Sequence, residues 1–313
     1  RCTMKLSRDH DGSPPSPKGA VVAIGAFDGV HLGHQSLLGQ VRARADALGV
    51  PAVVVSFEPL PRQHFARGPL LRLTPFRERV ERIRACGIDH LLCLRFDDAL
   101  AGMSPRAFIE RVLVKRLRAK EVWVGPGFRF GHRREGDFDL LEAAGMHHGF
   151  VASEVAARTA DGERISSSRI REMLLASEFE AAQHALGRRY QYSGRVVRGQ
   201  QLGRQLGFPT ANLRWPQNSQ GFGGIFAVRV DGGGLVRHPG VASLGYRPAV
   251  GGKELLLEVH LFDFDGDLYG KRLSIDFIAK QRDEWHFPDL ASLVDQIRRD
   301  ADEALVLLGV RPA

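Results

Sequence analysis

The sequence predicts an α/β domain with a parallel sheet over residues 1–186, followed by a β domain with a terminal helix over residues 187–313. Three observations carry this. From Ala20 to about Leu186, short apolar runs alternate with amphipathic stretches, as in a parallel sheet flanked by helices. After Leu186 glycines become dense, helical periodicity vanishes, and apolar runs are separated by turn signals, as in an antiparallel barrel or sandwich. With 313 residues and 43% hydrophobic content, the chain can bury two ordinary cores.

In the first part the expected strands are Val21 to Phe27, Ala52 to Phe57, His90 to Leu94 and Glu121 to Gly125. Between them, Leu37, Leu38, Val41, Ala45 and Leu48 recur at helical spacing, as do Phe108, Ile109, Val112, Leu113 and Leu117. The second of these helices has a defined start: Ser104 can cap its free amides and Pro105 occupies the first position, where a missing N–H is no loss. In the second part the expected strands are Tyr192 to Val197, Ile225 to Val230, Gly240 to Leu244, Leu255 to Phe262 and Leu273 to Ala279. Asp231-Gly232-Gly233 reads as a hairpin turn. A last helix from about Pro288 to Leu308 carries Leu290, Leu293, Val294, Ile297, Ala301 and Leu305 in one stripe, expected to pack on the barrel.

Composition narrows the function. A net charge of +8 favours anionic partners without choosing among nucleotides, nucleic acid and membranes. The basic residues are spread along the chain and aromatic residues make up only 8%, which argues against a base-stacking platform, so no nucleic-acid partner is expected. Cys2, Cys86 and Cys93 are odd in number and form no CxxC pair, so neither a disulfide framework nor a zinc cage is indicated. No run of 18 apolar residues occurs, and Ser13 to Pro17 lies where a signal peptide would carry its apolar core. The expectation is a soluble cytoplasmic protein with no membrane partner; oligomerisation is not indicated.

The first expected strand runs into Gly25-Ala26-Phe27-Asp28-Gly29-Val30-His31-Leu32-Gly33-His34, and a helix follows at once. Such a junction suits phosphate: glycines admit the ligand, a helix N-terminus offers unpaired N–H groups, and His31 and His34 can donate to phosphate oxygens. A metal pair or ordinary loop histidines are the alternative, but no Cys, Asp or Glu partners share the spacing. A second segment, Ile165 to Arg171, opens another helix on which Ser167, Ser168 and Arg171 can converge as a phosphate clamp. A serine-capped surface helix with a solvated arginine is the bland alternative.

In the second part, Gly203-Arg204-Gln205-Leu206-Gly207-Phe208-Pro209-Thr210-Ala211-Asn212 combines glycines that permit a close loop around phosphates with two neutral oxygen ligands, Thr210 and Asn212, suited to Mg²⁺. A plain turn has the same composition. Further on, Leu255, Leu257, Val259 and Leu261 share one strand face and Glu258 faces the other way. A carboxylate there can line the mouth of a barrel and take a proton from a substrate hydroxyl, or it is simply a solvent-facing glutamate. Asp263 to Asp267 resembles an EF-hand opening, but it lacks a glutamate at the twelfth position and is expected not to bind calcium.

Together the phrases GAFDGVHLGH, FRFGHRREGD (Phe128 to Asp137) and ISSSRIR, with GRQLGFPTANL and LEVHLFDFDGDLYG, resemble the bacterial bifunctional riboflavin kinase/FAD synthetase family from about Val21 to Ala304. The resemblance implies a Rossmann-like nucleotidyltransferase domain and a six-stranded Greek-key barrel. It implies phosphorylation of riboflavin to FMN and adenylylation of FMN to FAD, with ATP and Mg²⁺. It puts His31, His34, Arg171 and Glu258 in catalytic roles, Glu258 as general base, and Thr210 and Asn212 on the metal. It assigns nucleotide or flavin contacts to Gly25, Phe27, Asp28, Gly33, Phe128, Arg129, Ser167, Ser168, Gly203, Arg204, Gly207, Pro209 and Arg282. Gln281 to Phe287 resembles the segment that closes over the flavin. The chain departs from the family pattern at Leu60, where a histidine is usual, at Gly127, where Asp or Asn is usual, and at the peripheral Ala249. Loss of a polar side chain at both of the first two points implies either a slow adenylyltransferase or a first domain that only binds or regulates.

Overall fold

The computed structural model describes residues 4–8, 12–160, 162–199, 203, 206–216, 219–249 and 252–310. They form two compact units: the described residues of Arg1–Gly68 with Phe76–Ser167, and those of Pro69–Pro75 with Ser168–Ala313. Cys2 and Arg204 lie outside the described residues.

In the first unit β1 (Lys5–Ser7), β2 (Ala20–Ile24), β3 (Ala52–Glu58), β4 (His90–Arg95), β5 (Ala119–Val124) and β6 (Val151–Glu154) make one parallel sheet in the order β1-β4-β3-β2-β5-β6. Parallel neighbours need long crossovers. These are supplied by α1 (Leu32–Leu48), α2 (Pro61–Phe65), α3 (Phe76–Ala85), α4 (Asp98–Ala101), α5 (Pro105–Phe108) and α6 (Phe138–His148). Strand alternation sorts the core into two layers: Val22, Ile24, Val53 and Val55 pack with Phe108, Val112 and Leu113, whereas Val21, Ala23 and Val54 pack with Leu38, Val41 and Ile83.

The expected start at Ser104 is present, its side chain accepting from the Ala107 N–H with Pro105 in the first turn. The helix does not continue as one α-helix, however: Ile109–Arg116 is π-helical, closed by the Leu117 N–H on the Val112 carbonyl at 3.0 Å. That winding buries Ile109, Val112, Leu113 and Arg116 together, and Arg116 donates to the Ser13 carbonyl. The short strands β1 and β6 escaped the sequence reading; β1 pairs only with β4 and β6 only with β5, so each is an edge with a weak apolar signature. A small hairpin, β7 (Thr159–Ala160) and β8 (Glu163–Arg164), precedes α7 (Ser167–Leu175) and α8 (Phe179–Leu186).

In the second unit β9 (Gln191–Val197), β10 (Thr210–Arg214), β11 (Gly224–Gly232), β12 (Leu235–Ala249), β13 (Gly252–Leu261) and β14 (Arg272–Arg282) close an antiparallel barrel in the order β10-β13-β12-β11-β14-β9. The order is not sequential: β13 returns beside β10, and β14 closes between β11 and β9, a Greek-key path. Aromatic rings fill the interior, with Phe226 and Phe277 edge to face at 5.3 Å and Phe222 and Phe277 at 5.0 Å. The hairpin turn falls at Gly233 and Gly234, both at positive φ, one residue later than the sequence reading placed it. The reading also began this strand at Gly240; β12 instead starts at Leu235 and runs through Pro239, which pairs with Arg229 of β11, while the pairing with β13 begins at Gly240.

The terminal helix α9 (Leu290–Leu307) starts on Asp289, whose carboxylate accepts from the Ser292 N–H. Its far half packs as expected, Ala304, Leu305 and Leu308 lying against Ala227, Val241 and Phe262. The near half does not: Leu290 is 61% exposed, and Leu293 and Ile297 face a cavity instead of the barrel core.

Candidate functional site

In the parallel sheet the chain moves from β2 through β3 to β4 on one side, then returns to β5 on the other side of β2. The gap beyond the carboxyl ends of β2 and β5 is therefore the switch point at which such sheets bind ligands. Gly25 to His31 leaves β2 there, and Gly125 to Phe130 leaves β5. The first loop is held in an unusual path: Phe27 and Val30 have φ of 51° and 41°, and Gly29 has φ of 88°. A β-branched residue at positive φ is costly, and full burial of Phe27 with 2% exposure of Val30 supplies the packing that holds it. Three donors fix the loop from below. Arg79, fully buried, donates to the Ala26 and Phe57 carbonyls at 3.0 and 2.9 Å and pairs with Glu58 at 2.7 Å. Ser56 Oγ also donates to the Ala26 carbonyl, and Ser167 Oγ donates to the Asp28 carbonyl at 2.8 Å.

His31 caps α1: its Nδ1 accepts from the His34 N–H at 3.2 Å, which leaves Nε2 as the protonated nitrogen. The two imidazoles stack with centroids 3.6 Å apart. Gly33 is needed for this, since a Cβ there would lie 3.2 Å from the His31 ring, and Gly25 likewise sits 3.1 Å from the Phe27 ring by the same measure. Burial, and then the neighbouring His31, hold the His34 imidazole well below the usual histidine range, so it is neutral at pH 7. His34 Nδ1 is buried and has no hydrogen-bond partner among the described residues.

The other residues that the sequence reading grouped with this loop divide between the units, Ser168 and Arg171 falling in the second. Asp28 is buried in the loop, and Ser167 joins it. Arg171 is buried on α7 and its Nε donates to the Leu71 carbonyl at 2.7 Å; Ser168 precedes it on the same helix. Phe128 stacks on Phe130 at 5.4 Å at the edge of the core, and Arg129 pairs with Asp137, the cap of α6. Leu60 is 1% exposed, so its position holds apolar surface in place of a polar group. Around Gly127, which has φ of 67°, the backbone N–H donates to Glu154 Oε1 at 3.0 Å and Arg164 donates to the Pro126 carbonyl at 2.5 Å.

The second unit holds a cavity of about 640 Å³, a size typical of small-molecule sites. Strand register builds its floor. Asn212 of β10, Glu258 of β13 and Ser243 of β12 are directly paired, and paired residues share a face. Thr210, His260 and Val241 form the next row on that face. Leu257 and Val259, fully buried, face the barrel interior, so Glu258 points to the outside of the wall and not into the barrel's mouth. The alternation was read correctly; where the outer face led required the elements that roof it. These are α9, the segment after β14, and the turn before β10, which together with the strands line the cavity.

Thr210 and Asn212 lie on β10 and not in the loop the glycines suggested. Asn212 is 5% exposed; its Nδ2 donates to the Thr210 carbonyl, leaving Oδ1 to accept or ligate. Gly199 makes room for it, because a Cβ there would fall 2.7–2.9 Å from the amide. Gly203 accepts from the N–H groups of Leu206 and Phe208, Gly207 has φ of 86°, and the Pro209 carbonyl is bonded to His260 Nδ1 at 2.9 Å. Arg282, Glu284, Trp285 and Phe287 also line the cavity. Glu284 reaches Ser243 Oγ at 3.4 Å in space that a Cβ on Gly245 would fill.

Both units have counterparts among known proteins. Residues 13–169 match the FAD synthetase family and residues 186–308 match the riboflavin kinase family. The bifunctional riboflavin kinase/FMN adenylyltransferase of Escherichia coli K12 is 42% identical over 314 residues, covering 99% of this chain and all of the relative. The chain belongs to the bifunctional riboflavin kinase/FMN adenylyltransferase family. Proteins of the same name from Pseudomonas fluorescens and Haemophilus influenzae are 42% and 38% identical, over 97% and 96% of this chain and 98% of each relative. A crystal structure described as a macrolide-efflux protein from Streptococcus pneumoniae shares the fold with a TM-score of 0.80 at 27% identity, covering 96% of this chain and 98% of that one. Among the described residues here, no helix is long and apolar enough to cross a membrane.

As a member of this family, the chain has its two matched segments on the two sites. The strand-end loop with His31 and His34 lies in the FAD synthetase segment, and the Asn212–Glu258–Ser243 row lies in the riboflavin kinase segment. Ser243 and Asp300 were missed by sequence reading, and Glu284 was noted only within the Gln281 to Phe287 segment. Ser243 is placed by strand register and Asp300 by burial against Arg282, which no spacing in the chain displays.

Proposed function

We propose that this chain phosphorylates riboflavin to FMN and adenylylates FMN to FAD, using ATP in both steps, with residues 187–313 carrying the first reaction and residues 1–186 the second. Relatives named for both activities match from end to end, which disfavours a first domain that only binds or regulates. The observation that carries the kinase reading is the row of Asn212, Glu258 and Ser243 across three paired strands on the floor of the cavity.

In the kinase step Glu258 takes the proton from the ribityl 5′-hydroxyl, that oxygen attacks the γ-phosphorus of ATP, and ADP leaves. Thr210 and Asn212 fit a hard cation, because both line the cavity from one face of β10 and offer neutral oxygens, the Asn212 amide nitrogen being taken up by the Thr210 carbonyl. Among the described residues no group of three or more His, Cys, Asp or Glu makes a metal cage, so neutral oxygens and the phosphates of ATP would hold Mg²⁺. When bound, Mg²⁺ neutralises the charge of the transferring phosphates. The glycine turn at Gly203 and Gly207, with Arg204 and Pro209, is the phosphate-side wall of this reading, and Arg282 belongs to the flavin side.

In the adenylyl step an FMN phosphate oxygen attacks the α-phosphorus of ATP and pyrophosphate leaves. His31 and neutral His34 donate to the phosphate oxygens, and the backbone of Gly25 to Gly33 with the start of α1 meets the growing charge. Ser167, Ser168 and Arg171 are the proposed triphosphate ligands; Phe128 and Arg129 complete the neighbouring loop. Leu60 and Gly127 remove two polar groups from this site and leave the loop, the helix start and both imidazoles in place.

A chromatographic time course with riboflavin, ATP and Mg²⁺ tests the reading. FMN should appear first and give way to FAD. FMN that accumulates without FAD would refute the adenylyltransferase, and absence of FMN would refute the kinase.

A further inference from the structure

Arg282 ends β14 at the cavity wall, and its guanidinium is held by a carboxylate from α9 and by the Asp283 carbonyl, to which Nη1 donates at 2.9 Å. Arg282 Nε donates to Asp300 Oδ1 at 2.8 Å and Nη2 donates to Oδ2 at 2.5 Å, a forked pair that fixes the guanidinium plane. Asp300 is 3% exposed and is itself fixed, because Gln296 Nε2 donates to its Oδ1 and Gln281 Nε2 to its backbone carbonyl, both at 2.8 Å. The face of the guanidinium is occupied by aromatic rings: the Trp285 ring centre is 4.7 Å from the guanidinium carbon and the Phe287 centre 5.8 Å. Trp285 is 56% exposed, yet both rings line the cavity. The start of the segment after β14 is tied down at Asp283, which pairs with Lys280 at 2.6 Å, and at Glu284 on Ser243, while its aromatic side chains rest on a cation whose forked face is fixed by the terminal helix.

A salt bridge that merely fastens α9 to the barrel would be redundant. The helix is already docked through Ala304, Leu305 and Leu308, and its end is held by Arg229 Nη2 donating to the Leu308 carbonyl at 2.6 Å. The Asp300–Arg282 pair lies on the side of the helix that faces the cavity, beside Ile297. We infer that Asp300 is a positioning residue of the kinase site: through Arg282 it sets Trp285 and Phe287 as one wall for the flat ring system of riboflavin. The inference rests on the reading that riboflavin enters this cavity. A buried carboxylate that acts through a second residue and touches neither Glu258 nor the transferred phosphate is expected to govern riboflavin affinity more than the phosphoryl transfer step.

The test is steady-state FMN formation by the full chain, with riboflavin and ATP varied separately, for the wild type, Asp300→Asn, Asp300→Glu and Trp285→Leu. Asp300→Asn keeps the shape and loses the charge. It should raise the riboflavin KM about tenfold, the scale set by loss of one aromatic stacking partner, with kcat and the ATP KM within about twofold. Asp300→Glu should recover part of the loss, an outcome that distinguishes orientation of the guanidinium from bulk. Trp285→Leu, at an exposed position that leaves no buried charge unpaired, should raise the riboflavin KM similarly and so serves if Asp300→Asn fails to fold. Combining Asp300→Asn with Trp285→Leu should add little beyond either alone. An unchanged riboflavin KM in folded Asp300→Asn, or in Trp285→Leu, overturns the inference while the wild type still makes FMN; a wild type that makes no FMN overturns the underlying reading and the inference with it.

Discussion

In the proposed function the two sites would each hold phosphate and orient a nucleophile, with different materials. At the end of β2 the work is done by backbone and by the start of α1: a loop at positive φ around Phe27, Gly29 and Val30, clamped from below by Arg79 and Ser56, with two stacked imidazoles at the rim. On the barrel the work is done by side chains aligned through register, Asn212, Glu258 and Ser243 coming from three strands. The first proposed site offers main-chain donors of the Gly25 to Gly33 loop beside its imidazoles, and these are the groups available where Leu60 and Gly127 supply no polar side chain. The second proposed site relies more on individual carboxylate, amide and guanidinium groups.

Breaking one site should therefore leave the other running. The largest effect is expected for Glu258→Gln, which keeps the strand and removes the proton acceptor: FMN formation should fall by about two to four decades, and FAD formation from supplied FMN should be unaffected. A drop of less than threefold would remove Glu258 from the mechanism. Next, His34→Ala should lower FAD formation from FMN by about 10²–10³, the usual consequence of losing one donor to transition-state charge, with riboflavin phosphorylation intact. Loss of both activities in either variant would show that the two regions do not work independently.

Acid sharpens the contrast more gently, because the two units bury titrating groups of opposite sense. His34 is held neutral by burial, so its folded pKa lies below the unfolded value. Its contribution is fully present above about pH 6.5 and is lost as pH falls from there toward the depressed folded value, by at most about 1.4 kcal/mol per pH unit. Asp276 on the barrel is raised, chiefly by burial and against the hydrogen bond from Gln191. It favours the folded state when protonated, so its contribution is present below the unfolded carboxylate value and is lost as pH rises through the folded one. Thermal midpoints of wild type and His34→Ala between pH 7 and 5 should converge as pH falls if His34 carries the first effect. Asp276→Asn should give the smallest change, a barrel whose stability in the range around pH 4–5 depends less on pH.

Much of this was legible from residue order because it is local. Ser104 and Pro105 mark a helix start, and the Gly25 to His34 phrase marks a strand–loop–helix junction. The alternation from Leu255 to Leu261 separates Glu258 from the core. The errors fell where a local signal was weak or misleading. The edge strands β1 and β6 are short, β12 extends before Gly240 through Pro239, and the helix after Ser104 winds as a π-helix that buries Arg116 with its apolar neighbours.

Sequence by itself determined the two building plans, the glycine-rich loops and the chemical types available at each site, since propensity, capping and face alternation are properties of neighbouring residues. Only the tertiary structure decided that the barrel cavity lies on its outer wall, that Ser243 and Glu284 meet beside Glu258, and that Asp300 of the last helix holds Arg282. Those relations join strands and a helix far apart in the chain. They depend on register, closure and burial, which are fixed when the elements pack against one another.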